Sequence, residues 1–221
     1  MKLSLLFSIF TLLTVSLSAQ NCLCVNEDGK ITKPFKSVVF SNNDSLLFCG
    51  SAYRDPDFSN YYLGELTIYD CLTKKELYSI SNEDTYDLIF DNDLVTITFF
   101  ERLPIGENWK ILFIPIEIIE ISAKGKKLYL NTTNFPVKPT IEQSRIDNQL
   151  AEYKNHITMK EYEKAFSLSN RLMVCALSGN KEAEKLLLSM SKDLDYFIDG
   201  HYGEEYDRMM LLYERLKKQL E

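Results

Sequence analysis

The sequence predicts an α+β protein: an N-terminal antiparallel β meander or sandwich, then a C-terminal bundle of about four helices built as stacked helical hairpins. Three observations predict it. Before Pro136-Val137-Lys138-Pro139, short apolar stretches rich in β-branched and aromatic residues alternate with turn clusters. After it, apolar residues recur at helical spacing. The segment between carries two prolines in four positions, which stiffens it into a linker. The expected organisation is a signal peptide over 1–19, a β domain over 20–136, a linker over 137–140 and a helical domain over 141–221.

The first segment reads as a secretory signal. Met1-Lys2 gives a positive start, and Leu3 to Val15 carries no charge, Pro or Gly. Small residues then precede Gln20-Asn21, as before a cleavage site. The apolar run is too short for a comfortable membrane span, and no second long run follows. The expectation is therefore an exported chain beginning near Gln20, in the periplasm, at the cell envelope or outside the cell.

Five cysteines lie beyond the signal: Cys22, Cys24, Cys49, Cys71 and Cys175. An oxidising compartment permits disulfides, and an odd count leaves one thiol unpaired or joined to another chain. Cys49 and Cys71 sit in neighbouring predicted strands and form one candidate pair. Cys22-Leu-Cys24 lacks the CxxC spacing of thioredoxin-type sites. Asn21 occupies the place where a lipoprotein signal has a small apolar residue, which argues against a lipid anchor at Cys22. Cys175, beside Met173 and Ala176, reads as a small buried apolar residue.

In the β half the expected strands are Ser37–Phe40, Ser45–Cys49, Gly64–Asp70, Glu76–Ile80, Tyr86–Phe90, Leu94–Glu101, Trp109–Ile114, Ile116–Ser122 and Lys127–Leu130. Asn42-Asn43-Asp44 and Asp91-Asn92-Asp93 are tight-turn signals, because Asn and Asp tolerate left-handed backbone. Pro104-Ile105-Gly106 and Ala123-Lys124-Gly125 mark further reversals. Within this half, Phe40 to Ser51 and Gly64 to Leu77 together resemble one blade of a WD40-type β-propeller, with Tyr69-Asp70 where that family has Trp-Asp. The Gly-His pair that often opens such a blade is missing. A fainter echo runs from Asp87 to Ile119. A closed ring needs at least about four blades, and the chain has room for two. The resemblance therefore implies a shared four-strand meander, in a small sandwich or curled sheet.

In the helical half, Thr140 with Gln143 and Thr158 with Glu161 have capping-box spacing, opening helices over Ile141–Asn155 and Met159–Ser178. Gly179 is a left-handed terminator and Asn180 a cap for a third helix reaching about Ile198. Asp199 to Gly203 reads as a turn. Glu204 to Leu220 forms a fourth helix whose acidic start and Lys217-Lys218 end suit the helix dipole. Tyr162, Ala165, Phe166, Ser169, Leu172, Met173 and Ala176 make the second helix's apolar stripe. Leu186, Leu187, Met190, Leu194 and Phe197 serve the third, and Tyr206, Met209, Met210, Tyr213 and Leu216 the fourth. The packing resembles that of TPR or HEAT hairpins in style, without their repeat.

Catalytic patterns are sparse. His156 and His201 lie in no metal-binding spacing, and P-loop, GxGxxG and GxSxG motifs are absent. Ser189-Met-Ser-Lys192 matches SxxK without its companion motifs. Asp193, Asp195 and Asp199 fail the EF-hand pattern, because Phe197 and Tyr206 fall on ligand positions. Glu101, Glu107, Glu117 and Glu120 are available carboxylates with no spacing that selects a pair. Trp109, the single Trp, is read as core filling at a strand start or as a sugar-stacking platform. No residue is assigned a catalytic, cofactor-binding or metal-binding role, and no cofactor is expected.

The formal charge is −7, or −8 once Lys2 leaves with the signal. That acidity disfavours nucleic acid and anionic lipid and is compatible with a basic protein partner. The expected function is a non-catalytic protein-interaction or binding module of the cell envelope. The alternatives are an acidic inhibitor or immunity-type protein acting on a basic toxin or hydrolase, and an envelope hydrolase acting on glycan or peptide.

Overall fold

The computed structural model describes residues 22–25, 28–55, 60–81, 84–124, 127–194 and 200–220. The predicted signal peptide lies outside them. Among the described residues, twelve strands are followed by five α-helical segments, which is the α+β class expected. The strands are β1 (Cys24–Val25), β2 (Ile31–Thr32), β3 (Lys36–Val39), β4 (Ser45–Gly50), β5 (Tyr53–Arg54) and β6 (Tyr62–Leu63). They continue as β7 (Leu66–Asp70), β8 (Lys75–Ile80), β9 (Thr85–Asp91), β10 (Leu94–Leu103), β11 (Leu112–Lys124) and β12 (Lys127–Asn134). The helices are α1 (Gln143–Thr158), α2 (Tyr162–Ser167), α3 (Ser169–Leu177), α4 (Lys181–Asp193) and α5 (His201–Lys218).

The chain divides into two compact units, one of residues 1–99 and 118–133, the other of residues 100–117 and 134–221. Strands β10 and β11 run from one into the other.

In the first unit, β3-β4-β7-β8 form a four-stranded sheet in that order, with every neighbouring pair antiparallel. The second sheet has the order β12-β11-β10-β9-β6-β5. Alternation decides which side chains go inward: Leu66, Ile68 and Asp70 of β7 and Val95, Ile97 and Phe99 of β10 are buried, while their neighbours are not. Phe48 meets Phe90 edge-on at 5.4 Å, and Tyr78 lies 6.0 Å from Phe99. These contacts bring the two sheets face to face as a sandwich.

The turns behave as their residues dictate. Asn43 and Asn92 both adopt left-handed φ at the hairpin tips. Asn42 closes its own turn by accepting from the Asp44 N–H at 2.9 Å. Asp70, the residue in the propeller-like Trp-Asp position, caps the β7–β8 turn. Its carboxylate accepts from the Leu72 N–H at 2.8 Å and from the Thr73 hydroxyl at 2.6 Å. The blade likeness covers β4, β7 and β8. The connection between β4 and β7 contributes β5 and β6 to the other sheet, so the four strands form one sandwich layer.

That excursion turns on two glycines. Gly50 (φ +132) and Gly64 (φ +104) lie where the outgoing and returning strands cross. A Cβ on Gly50 would sit 2.3 Å from the Glu65 carbonyl oxygen, and one on Gly64 would sit 2.2 Å from that of Ser51. Only Gly fits either place.

One expectation about the strands is corrected. Trp109–Ile114 and Ile116–Ser122 are a single strand, β11, beginning at Leu112. Pro115 is exposed there, so the chain stays extended through it. Trp109 belongs to the preceding turn, Glu107–Trp109. Four two-residue strands, β1, β2, β5 and β6, were also not expected.

In the second unit, helices α2 to α5 bury most of the stripes read from sequence, while Tyr162, Leu186, Tyr206 and Met210 are only half-buried. Ala165, Phe166, Leu172, Met173 and Ala176 are buried, as are Leu187, Met190, Leu194, Met209, Tyr213 and Leu216. Gly179 (φ +99) ends α3, and the Asn180 side chain accepts from the Ala183 N–H at 2.9 Å to cap α4. The two capping boxes do not form. The N-cap of α1 is Glu142, with no side-chain hydrogen bond. Thr158 lies inside α1 and donates back to the Lys154 carbonyl at 2.9 Å, while Glu161 binds His156 and Lys164. The expected helix over 159–178 begins at Tyr162, after left-handed Lys160, and is interrupted at Leu168. The last helix opens at His201, within the segment read as a turn. Asp195, Phe197 and Asp199 lie outside the described residues.

Candidate functional site

The N-terminal hairpin is tied covalently to the rest of the first unit. β1 pairs with β2, setting Cys24 opposite Thr32 and Val25 opposite Ile31. Two disulfides tie β1 to the four-stranded sheet: Cys24–Cys49 and Cys22–Cys71. They nest, the longer enclosing the shorter, and this corrects the Cys49–Cys71 pairing considered from sequence. Cys49 and Cys71 belong to β4 and to the turn after β7, and each is taken by a cysteine from the chain start.

The consequence for β4 is burial on both faces. Leu46 and Phe48 face the sandwich core, while Leu47 and Cys49 pack with Cys24 beneath the hairpin. Tyr69, Cys22 and Cys71 complete that small outer cluster. In the bonded form the Cys22 sulfur is committed to Cys71.

The other side of the hairpin faces solvent. Leu23 is 55% exposed, Val25 56% and Ile31 66%. Strand geometry puts Leu23 and Val25 on one face, and the register puts Ile31 beside Val25. Leu72, next to Cys71 in the chain, is also exposed.

In the second unit the 100–117 segment places Trp109 against the helices. Asn108 (φ +52) and Trp109 (φ +61) are two successive left-handed residues, as in a type I′ turn. The Lys110 N–H donates to the Glu107 carbonyl at 3.0 Å and the Gly106 N–H to the Lys110 carbonyl at 2.9 Å. Arg145, on α1, lies 4.4 Å from the indole centroid, and Arg171, on α3, lies 5.7 Å from it. Arg145 also donates to the Gly106 carbonyl at 2.9 Å. Trp109 is thus half-buried in a turn beside two guanidinium groups, and neither a core residue of a strand nor an open platform. Sequence alone could not pair it with two arginines so far along the chain.

The remaining candidates are scattered. The His156 Nδ1 and a Glu161 carboxylate oxygen are 2.7 Å apart, and the His201 Nε2 and Glu205 are 3.1 Å apart on an exposed face. Ser189 of the SxxK match donates to Asp193 at 2.6 Å. Glu101 pairs with Arg215, and Glu120 accepts from Asn131 at 3.3 Å. Glu117 lines a cleft of about 370 Å³ with Arg215 and Lys218, while Glu107 stands exposed at the Trp109 turn. A cleft of about 460 Å³ lies beside Lys138, Ile146 and Lys181, with those two lysines its charged lining.

Burial pushes the Cys175 thiol up to about 11, so it stays protonated and inert at neutral pH. Glu184 is held down to about 2 by hydrogen bonds, from Lys217 first, then Lys181 and Tyr213. Among the described residues, no three His, Cys, Asp or Glu side chains are grouped to hold a metal ion, and no helix is long and apolar enough to cross a membrane. No protein-family model matches the chain, and neither a curated protein nor a solved structure matches it significantly.

Proposed function

We propose that the chain is an exported, non-catalytic binding module of the cell envelope that engages a protein partner through the outer face of its N-terminal hairpin. The observation that carries this reading is the pairing of covalent restraint with apolar exposure. Two disulfides pin β1, β2 pairs with it, and the two strands turn Leu23, Val25 and Ile31 to water. A surface rigid before binding loses little conformational entropy when a partner covers it. Covering these side chains is worth ~1 kcal/mol each at the usual value per area, enough for an anchor within a larger interface. The disulfides are compatible with an oxidising compartment, which the apolar start of the sequence also favours.

Net charge supports a second reading. At −7 the chain could use long-range attraction toward a basic toxin or hydrolase, as an inhibitor or immunity-type protein does. Such binding weakens steeply with salt, whereas binding by the apolar hairpin does not.

The reading is tested by placing a photo-crosslinking residue at Val25 and, separately, at the exposed Lys185 of α4. Illumination in cells should give one defined protein adduct from position 25 and none from position 185. Absence of an adduct at 25, or equal adducts from both positions, contradicts it.

A further inference from the structure

We infer that Arg145, Trp109 and Arg171 form a carboxylate-binding site for an acidic peptide segment. Three observations, independent of the apolar hairpin, converge on these residues.

The first is charge without a counter-charge. In the same unit Lys154 pairs with Glu182, Lys164 with Glu161, Lys181 and Lys217 with Glu184, and Arg215 with Glu101. Arg145 and Arg171 pair with no carboxylate among the described residues. The acids near them in sequence, Glu107, Glu142 and Asp147, pair with neither, and Asp147 accepts from the Gln143 amide instead. Two like charges held against one ring repel, and a chain with 32 Asp and Glu could have placed an acid between them. An anion from outside would remove that repulsion.

The second is backbone conformation. A bulky residue at positive φ costs roughly 1 kcal/mol or more. The chain accepts this at Trp109, next to Asn108, which tolerates such backbone far better. The result is an indole set beside both guanidiniums.

The third is donor supply. Arg145 uses one N–H group on the Gly106 carbonyl. The other guanidinium N–H groups of Arg145, and those of Arg171, have no acceptor among the described residues. The guanidinium fork matches a planar carboxylate with two parallel hydrogen bonds. Arg145 lies close over the indole, which leaves a poor stacking surface for a sugar ring and favours a peptide carboxylate over an acidic sugar.

Trp109 is the only Trp in the chain, so its fluorescence reports this site alone. The probes are hexaglutamate, hexaglutamine, sodium sulfate and an oligogalacturonate, titrated into the full chain with its disulfides intact. Hexaglutamate should give a saturable change with Kd ~1 mM or tighter. Hexaglutamine should give none. Arg171→Gln should weaken hexaglutamate at least about tenfold, and Arg171→Lys less, because charge remains while the fork is lost. Thermal melts confirm that each variant is folded, and the comparison of hexaglutamate with hexaglutamine on the unmutated chain needs no variant. Equal response to both peptides, or an unchanged affinity in Arg171→Gln, overturns the site. Preferential saturation by sulfate or by oligogalacturonate overturns the assignment to a peptide carboxylate. These outcomes leave crosslinking at the hairpin unaffected, so the two proposals fail separately.

Discussion

The Tyr86 hydroxyl donates to the Gly64 carbonyl at 2.8 Å and fixes the point where the chain crosses between the two sheets of the sandwich. Tyr86 is fully buried, and its ring stacks at 6.1 Å with Tyr62 and lies 6.2 Å from Phe99. Removing the hydroxyl leaves a buried carbonyl without that donor, so Tyr86→Phe should cost about 1–2 kcal/mol. Gly64→Ala should cost more, roughly 3 kcal/mol or beyond, since its Cβ meets backbone at a positive φ. Chemical denaturation of the two variants checks the order. Equal stability of Gly64→Ala and the parent chain would contradict the crossing described.

The nested disulfides lead to a second expectation. Each link shortens the unfolded chain and should contribute ~3 kcal/mol on loop-closure grounds. Replacing Cys22 and Cys71 together by Ala should lower the melting temperature while leaving Cys24–Cys49 intact, as peptide mapping under non-reducing conditions would show. Recovery of a Cys49–Cys71 peptide from the native protein would refute the nesting.

Acid stability should turn on Glu184. Its carboxyl is held down to about 2 in the fold, against an ordinary value of 4.5. A depressed carboxyl contributes stability above its unfolded value and loses it as pH falls toward the folded one. The helical unit should therefore weaken between pH 4.5 and about 2, and Glu184→Gln should flatten that part of the profile. An identical acid limb in the variant would remove Glu184 from the explanation.

Gln149 offers a test of the helical core. Both its side-chain polar atoms are buried without a partner among the described residues, and the Tyr153 hydroxyl one turn on is in the same position. Deleting the polar atoms at constant shape is neutral or favourable. Gln149→Met should hold or raise stability by up to ~1 kcal/mol. A loss of 2 kcal/mol or more, read by denaturant melts, would mean that the amide is bonded in solution.

Most of the architecture was legible because it is written locally. The change from period two to helical spacing at Pro136 needs no tertiary information, and neither do left-handed Asn43 and Asn92 or the Asn180 cap. What escaped depends on distant partners or on competition. Two-residue strands such as β1 and β5 are too short for alternation to register. The disulfide partners of Cys22 and Cys24 lie 49 and 25 residues away. Thr158 fitted a capping box, yet its hydroxyl found the Lys154 carbonyl and Glu161 found His156. The break at Leu168 has no Gly or Pro to announce it, and the Ser167 hydroxyl bonding back to the Lys164 carbonyl marks the place. The exposed hairpin surface was illegible for a similar reason: Leu23, Val25 and Ile31 become a surface only when Cys22 and Cys24 are pinned.

The most direct measurement is affinity capture of the tagged chain from its own envelope extract, unmutated against the double variant Val25→Glu/Ile31→Glu, at low and high salt. The binding-module account predicts a stoichiometric protein captured by the unmutated chain at both salt concentrations and lost with the variant. Capture that survives the variant and disappears in high salt would contradict it in favour of an acidic inhibitor, and the absence of any captured protein would contradict both.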